Sequence, residues 1–317
     1  MIIIQTTLEE FIAHCKFEKS LSEKTLKAYN IDLMQFTKFL IEKNLPLDVK
    51  EITKSEIRGF LESISSLKPK SIKRKIATIK AMFNYLEFED KISVSPLRKM
   101  RIRIKEPYRL PKVMAIQDVN AIFKSAYKKK NILNIDSHSY FEYYRNIVVV
   151  ELLFATGSRV SEIANLREEN IDLVLGAVTI RGKGNKERII QICNLETLQV
   201  LRQYRSLFIN KIRDAEGFFL VNRLGKKLSD QSIRTIVKHL AHKAKIKKHI
   251  TPHVFRHSFA TLLLEKDVDI KYIQSLLGHS SIMTTQIYTH VNRAKQRQIL
   301  KMKHPRKDFS MTESLVS

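Results

Sequence analysis

Pro96, Pro107 and Pro111 constrain this chain more than any other feature, because together they forbid one continuous helical body. Ser95-Pro96 ends a long helical region, and residues 98–112 then form a basic connector holding the other two prolines. A connector of that composition marks a boundary between domains. We therefore expect a first domain at 1–97, a linker at 98–112 and a second domain at 113–317. A chain of 317 residues has room for two cores.

The front part is patterned for helices. Thr53-Lys-Ser-Glu56 is a capping box, and Ile57, Phe60, Leu61 and Ile64 follow it at helical spacing. Tyr29, Leu33, Phe36 and Leu40 make a second apolar stripe; Ile72, Ile76, Ile79, Phe83 and Leu86 make a third. With a first helix around Leu8 to Phe17, the expected fold is a small helical bundle. Beside the third stripe stand Lys70, Lys73, Arg74, Lys75 and Lys80. They could be a solvated face, or a cationic face for the phosphates of DNA.

Past the connector, helices are expected around Ile116 to Lys128 and Arg145 to Ala155, with Lys129 to Tyr144 between them as a polar loop. Ala177 to Ile180 and Arg188 to Ile192 flank Gly182-Lys-Gly-Asn185, which predicts an antiparallel hairpin. Ile233, Ile236, Val237 and Leu240 mark a later helix, and Thr251-Pro252 starts another as cap and first residue. The fold class is mainly α with a small antiparallel β-sheet.

Charge narrows the function. The chain has 57 Lys and Arg against 32 Asp and Glu, a net +25. Residues 1–106 hold 21 basic and 14 acidic groups, and the remainder 36 and 18, so both parts are cationic. That suits two domains gripping one polyanion better than a basic tail on a neutral core. No apolar run approaches the roughly 20 residues of a membrane span, and the opening Met1-Ile-Ile-Ile4 lacks the basic flank of a secretory signal. Cys15 and Cys193 are far apart with no CxxC pair, which argues against a zinc ribbon or disulfide framework and fits a reducing cytoplasm.

Several short motifs carry groups of chemical interest. His253 and Arg256 share a face near a helix N-terminus, where anions bind well. His253 and His257 have the spacing of a zinc helix, but Val254 stands where a zinc peptidase needs glutamate, so His257 is expected to pack. Arg159 follows a glycine turn, with Glu162 one helical turn on to orient it. Lys183 sits at a hairpin tip, His279 follows a helix stop, and Tyr288 is one of ten tyrosines. Taken singly, each has an ordinary structural reading. Gly182-Lys-Gly184 lacks the spacing of a P-loop.

The strings ATGSRVSE, RGKGNKER, TPHVFRH, LLGHSS and TTQIYTH occur in this order along the second half. In that order, and close to those spacings, the chain resembles the tyrosine recombinases, particularly the Xer-type site-specific recombinases. The resemblance covers nearly the whole chain and makes the helical front part look like a core-binding domain. It implies a catalytic domain behind the linker, in which Arg159 and Arg256 bind the scissile phosphate and His279 donates a further hydrogen bond. It also implies Tyr288 as nucleophile, His253 as its proton acceptor, Lys183 as the acid for the departing 5′ oxygen, and Glu162 as support for the active-site arginine. No cofactor or metal is implied. The implied partners are a double-stranded recombination site and a homo- or hetero-tetramer, with a second recombinase or a DNA translocase as further candidates and no membrane. An integrase or transposase of a mobile element, a type IB topoisomerase and a catalytically silent DNA-binding relative are the alternatives. For the segment beyond Lys303, the resemblance implies docking on an adjacent subunit, against a simple disordered tail.

Overall fold

The computed structural model describes residues 3–105, 112–128, 134, 137–182, 186–278 and 293–308, without the side chains of 293–296. The chain divides into two units, Met1–Arg109 and Leu110–Ser317.

The first unit is built from α1 (Ile4–Phe17), α2 (Glu23–Glu42), α3 (Lys54–Ser63) and α4 (Pro69–Phe88). The expected apolar stripes face inward, with Leu33, Phe36, Leu40, Ile57, Phe60, Ile79 and Phe83 all buried in one core. The capping box is complete: the Thr53 N–H donates to Glu56 Oε2 at 2.7 Å and the Ser55 N–H to Thr53 Oγ1 at 3.1 Å. Pro69 opens α4 at a position where a missing N–H costs nothing.

One residue of the expected cationic face turns the other way. Lys75 lies three residues after Ile72 and four before Ile79, on the apolar stripe itself, and it is buried. Its ammonium is held by Asp32 Oδ1 of α2 at 2.9 Å and by Gln35. Arg74 reaches the other oxygen of Asp32 at 2.9 Å. Lys75 is thus a core cation, whereas Lys70, Lys73, Arg74 and Lys80 keep exposed side chains.

The second unit contains α5 (Ile116–Tyr127), α6 (His138–Thr156), α7 (Val160–Ala164), β1 (Ile171–Asp172), β2 (Ala177–Arg181) and β3 (Glu187–Gln191). It continues through α8 (Leu195–Asp214), α9 (Asp230–Lys243), α10 (Pro252–Leu264), α11 (Ile270–Leu277) and α12 (Arg293–Lys303). The strands form an antiparallel sheet in the order β1-β2-β3, with Ile180 opposite Arg188 and Arg181 opposite Glu187. The Gly182 N–H donates to Lys186 O at 2.8 Å at the base of the turn.

α6 is the axis of this unit, packed by α5, α8 and α10. It starts earlier than the sequence suggests. Ser137 caps it by accepting the Tyr140 N–H at 3.0 Å, and Tyr140, Phe141 and Tyr144 are buried. The tyrosines made residues 138–144 look polar, yet they supply a helical face that packs on Tyr204 and Phe208 of α8. Residues 138–144 of the expected loop therefore belong to α6, while 129–133 and 135–136 lie outside the described residues.

The first residues after Lys303 fold back on the second unit. His304 and Arg306 are buried in their own unit rather than reaching outward. Arg306 Nη2 contacts Glu151 Oε1 of α6 at 3.1 Å and Glu196 Oε2 of α8 at 2.9 Å, and the His304 ring stands 3.2 Å from Ala155 O. An unpaired Glu151 amid the apolar residues of α6 would be costly, and the turn after α12 brings the cation that answers it. Residues 309–317 lie outside the described residues. Among the described residues, no helix is long and apolar enough to cross a membrane.

Candidate active site

The turn from α6 into α7 builds the centre of the site. Gly157 closes α6 at φ +58°, and a Cβ there would lie 2.4 Å from the Phe259 ring, so both its backbone angle and its neighbour demand glycine. The turn delivers Arg159 just ahead of α7. Glu162 reaches back one turn and accepts the Arg159 N–H at 2.7 Å through Oε2, while its Oε1 accepts from the Arg159 guanidinium at 2.8 Å. The Arg159 side chain nonetheless stays 36% exposed. Burial pushes the Glu162 carboxyl up, but hydrogen bonds from Arg188 and from the Arg159 backbone outweigh it and hold the pKa below the ordinary carboxylate value.

α10 supplies the next groups. The Val254 N–H donates to Thr251 Oγ1 at 3.3 Å, and Pro252 occupies the first turn, as the Thr-Pro pair predicts. One turn further, Arg256 is buried, donating from Nη1 to Gly157 O at 3.0 Å and from Nη2 to Leu277 O at 2.7 Å. Burial first, and then the charge of Arg159, lower its pKa to about 10. It is still a cation at neutral pH, held beside another cation. His253 is shifted down by partial burial and by the surrounding His257, Arg256, Arg234 and Arg159, which favours a neutral ring with a free acceptor nitrogen. The bond from Arg256 to Gly157 O, and the influence of Arg159 on both Arg256 and His253, show that two distant stretches of sequence converge, the α6–α7 turn and the start of α10. His257 does not pack inside as expected but is exposed, because the inward face of α10 is taken by Phe255, Arg256, Ser258 and Phe259.

Lys183, His279 and Tyr288 lie outside the described residues. The residues just before two of them border the cluster. A Cβ on Gly182 would lie 3.7 Å from Glu162 Oε1, and one on Gly278, at φ +64°, would lie 3.1 Å from Arg188 Nη1.

Arg188 was not singled out from the sequence, yet it is the most heavily bonded side chain here. It donates from Nη2 to Glu162 Oε2 at 2.7 Å and from Nη1 to Oε1 at 3.1 Å. It also donates from Nη2 to Ser158 Oγ at 3.3 Å and from Nε to Leu276 O at 2.8 Å. Its signal was available: a cation paired opposite Ile180, just inside a hairpin tip, where pleating directs every second side chain to one face. With Arg159, Arg188 and Arg256 grouped about a single carboxylate, the site carries excess positive charge and suits an anion with several oxygens.

Comparison with known proteins agrees with this chemistry. Residues 128–295 match the phage integrase family and residues 8–90 match the phage integrase N-terminal SAM-like domain. The chain is 44% identical over 307 residues to a tyrosine recombinase of Agathobacter rectalis, covering 96% of this chain and 98% of that one. It is 34% identical over 304 residues to tyrosine recombinase XerD of Listeria innocua, covering 94% and 98%. In fold it is similar to the XerH site-specific recombinase solved on a palindromic difH substrate in a post-cleavage complex. That match has a TM-score of 0.69 and 18% identity, and covers 95% of this chain and 83% of the other.

Proposed function

The chain belongs to the phage integrase family and is a tyrosine-type DNA strand transferase, and we propose that it breaks a DNA strand by attack of the Tyr288 phenol on a backbone phosphorus. The convergence of Arg159 and Arg256 beside a neutral His253 carries this reading. The phenol oxygen bonds to phosphorus as the bond from phosphorus to the 5′ oxygen breaks, leaving a 3′-phosphotyrosine. The phenol proton passes to His253, and Lys183 donates a proton to the departing 5′ oxygen. His279 adds a hydrogen bond to the phosphate.

The chemistry needs each of these groups. Charge on the non-bridging oxygens repels a nucleophile and persists through the transition state, and two fixed guanidiniums offset it. A phenol with a pKa of about 10 is a weak nucleophile at neutral pH unless a base takes its proton. An alkoxide leaves poorly without an acid. Because the ester linkage is exchanged rather than hydrolysed, rejoining to a second strand needs no nucleotide. We place the reaction on a double-stranded recombination site, with a tetramer of the protein holding two duplexes, in the cytoplasm, where Cys15 and Cys193 stay as thiols. The domain at 1–97 holds DNA through Lys70, Lys73, Arg74 and Lys80, and the linker at 98–112 joins it to the catalytic domain at 113–317.

A nicked duplex carrying the recognised site tests this reading. Cleavage releases the short 5′ strand and traps a protein–DNA adduct visible on a denaturing gel. The adduct is expected to vanish in Tyr288→Phe; an adduct of full yield in that variant overturns the assignment of the nucleophile. Lys183→Ala is expected to cleave poorly, and to recover when the leaving group is a 5′ thiol, which departs without protonation. Equal loss on both substrates would remove Lys183 from the role of acid.

A further inference from the structure

We propose that Arg188 is a positioning residue for cleavage: by occupying Glu162 and the end of α11 it keeps the Arg159 guanidinium turned out toward the scissile phosphate. This rests on the reading that Arg159 binds that phosphate.

The electrostatics of the turn pose a problem that Arg188 solves. Glu162 accepts from both the backbone and the guanidinium of Arg159. Left alone with that one partner, a carboxylate of this kind pairs with it side-on, through both oxygens, which turns two of the five N–H donors and one whole edge of the guanidinium away from a ligand. In the structure, Arg188 takes one contact to each oxygen of Glu162, at 2.7 and 3.1 Å. Among the described residues the Arg159 guanidinium is left with a single contact at 2.8 Å, from Nη1 to Oε1, and its side chain is 36% exposed, against 13% for Arg188. One arginine is spent on the carboxylate so that the other keeps donors free.

Arg188 also ties the surrounding backbone. It holds Leu276 O at 2.8 Å, while Arg256 holds the next carbonyl, Leu277 O, at 2.7 Å. Two arginines from two different elements thus clamp consecutive carbonyls at the end of α11. The fork of Arg188 further reaches Ser158, the residue before Arg159. Lysine could match the charge at this position but not four directed contacts from one plane.

The role is separable from general support of the fold. In a DNA substrate with a methylphosphonate at the scissile position, one charged non-bridging oxygen becomes a neutral methyl group, so an arginine answering that charge matters less. Cleavage is compared on phosphate and methylphosphonate duplexes for the wild type, Arg159→Ala, Arg188→Met and Arg188→Lys, with DNA affinity and melting temperature measured beside it. Arg188→Met is expected to lose about 10–100-fold on the phosphate, the scale of a misplaced catalytic group. On the methylphosphonate the loss should shrink at least about tenfold, in parallel with Arg159→Ala. Arg188→Lys, which keeps the charge and is the safer variant for folding, should fall between wild type and Arg188→Met with the same substrate dependence. If Arg159→Ala shows the substrate effect while both Arg188 variants lose equally on the two duplexes, or lose nothing, the role of Arg188 is overturned and that of Arg159 stands. If Arg159→Ala shows no substrate effect, the phosphate reading itself fails and takes this proposal with it.

Discussion

Two glutamates of the second unit, Glu151 and Glu162, sit in similar company and do opposite things. Each lies on the α6–α7 stretch, each is nearly inaccessible, and each is held by arginine. Glu151 is closed on every side: Arg306, Tyr127 at 2.5 Å and Thr197 at 2.7 Å fill its oxygens, and Arg306 in turn is shared with Glu196. Burial opposes the charge on Arg306, but Glu151 and Glu196 carry its pKa up all the same. Glu162 is surrounded by more cation than it can neutralise, and one of those cations remains half-open to solvent. A completed ionic cluster holds a fold together; an over-cationic one with an open side holds a ligand. The difference lies in the count of charges and in which of them water can reach.

Deleting the arginine on each side separates the two roles. Arg306→Ala leaves Glu151 buried without its cation and should cost about 3–5 kcal/mol of stability by thermal or denaturant unfolding. Arg159→Ala should cost under about 1 kcal/mol, because Arg188 still holds Glu162 and the pair is partly screened by solvent. A stability loss at Arg159 as large as that at Arg306 would erase the contrast. Catalysis should invert the order. Arg256→Ala is expected to lower strand cleavage by about 10²–10³ at saturating DNA. A rate within a few-fold of wild type would mean that Arg256 serves only the carbonyls of Gly157 and Leu277.

The closed side also has a pH signature. Burial, opposed by the hydrogen bond to Ala155 and assisted by Arg306, lowers the His304 pKa to about 4. The unfolded value is about 6.5, so the unfolded chain takes up the proton first as pH falls. Stability is therefore fully present above about pH 6.5 and declines toward pH 4, by up to roughly 3 kcal/mol. Unfolding free energies measured across that window should show this slope, and His304→Gln should flatten it. An unchanged slope in the variant would assign the titration elsewhere.

The sequence carried much of this, for reasons that differ by residue. The helices of the first unit were legible because their apolar residues recur at one period and α3 announces its start with a capping box. The hairpin was legible from its glycines, and the start of α10 from Thr251-Pro252. Tyr140 and Tyr144 hid the first turns of α6, since tyrosine is polar at one end and buries readily at the other. Lys75 was hidden because a run of lysines suggests a surface, although its place on the stripe with Ile72 and Ile79 pointed inward. Arg159 with Glu162, and His253 with Arg256, were visible as pairs three residues apart. Their meeting across about a hundred residues, and the place of Arg188 between them, depend on tertiary packing that no local period encodes. Arg306 needed both ends of its contact: a glutamate stranded in the apolar run of α6 and an arginine after the last helix.

The central claim is that this cationic cluster serves one tyrosine. Trapping the adduct on a nicked duplex, digesting it with protease and nuclease, and finding by mass spectrometry which side chain retains the nucleotide tests this most directly. The account predicts a nucleotide linked through its 3′ phosphate to Tyr288 alone. A nucleotide on any other residue, or linked through a 5′ phosphate, would contradict it.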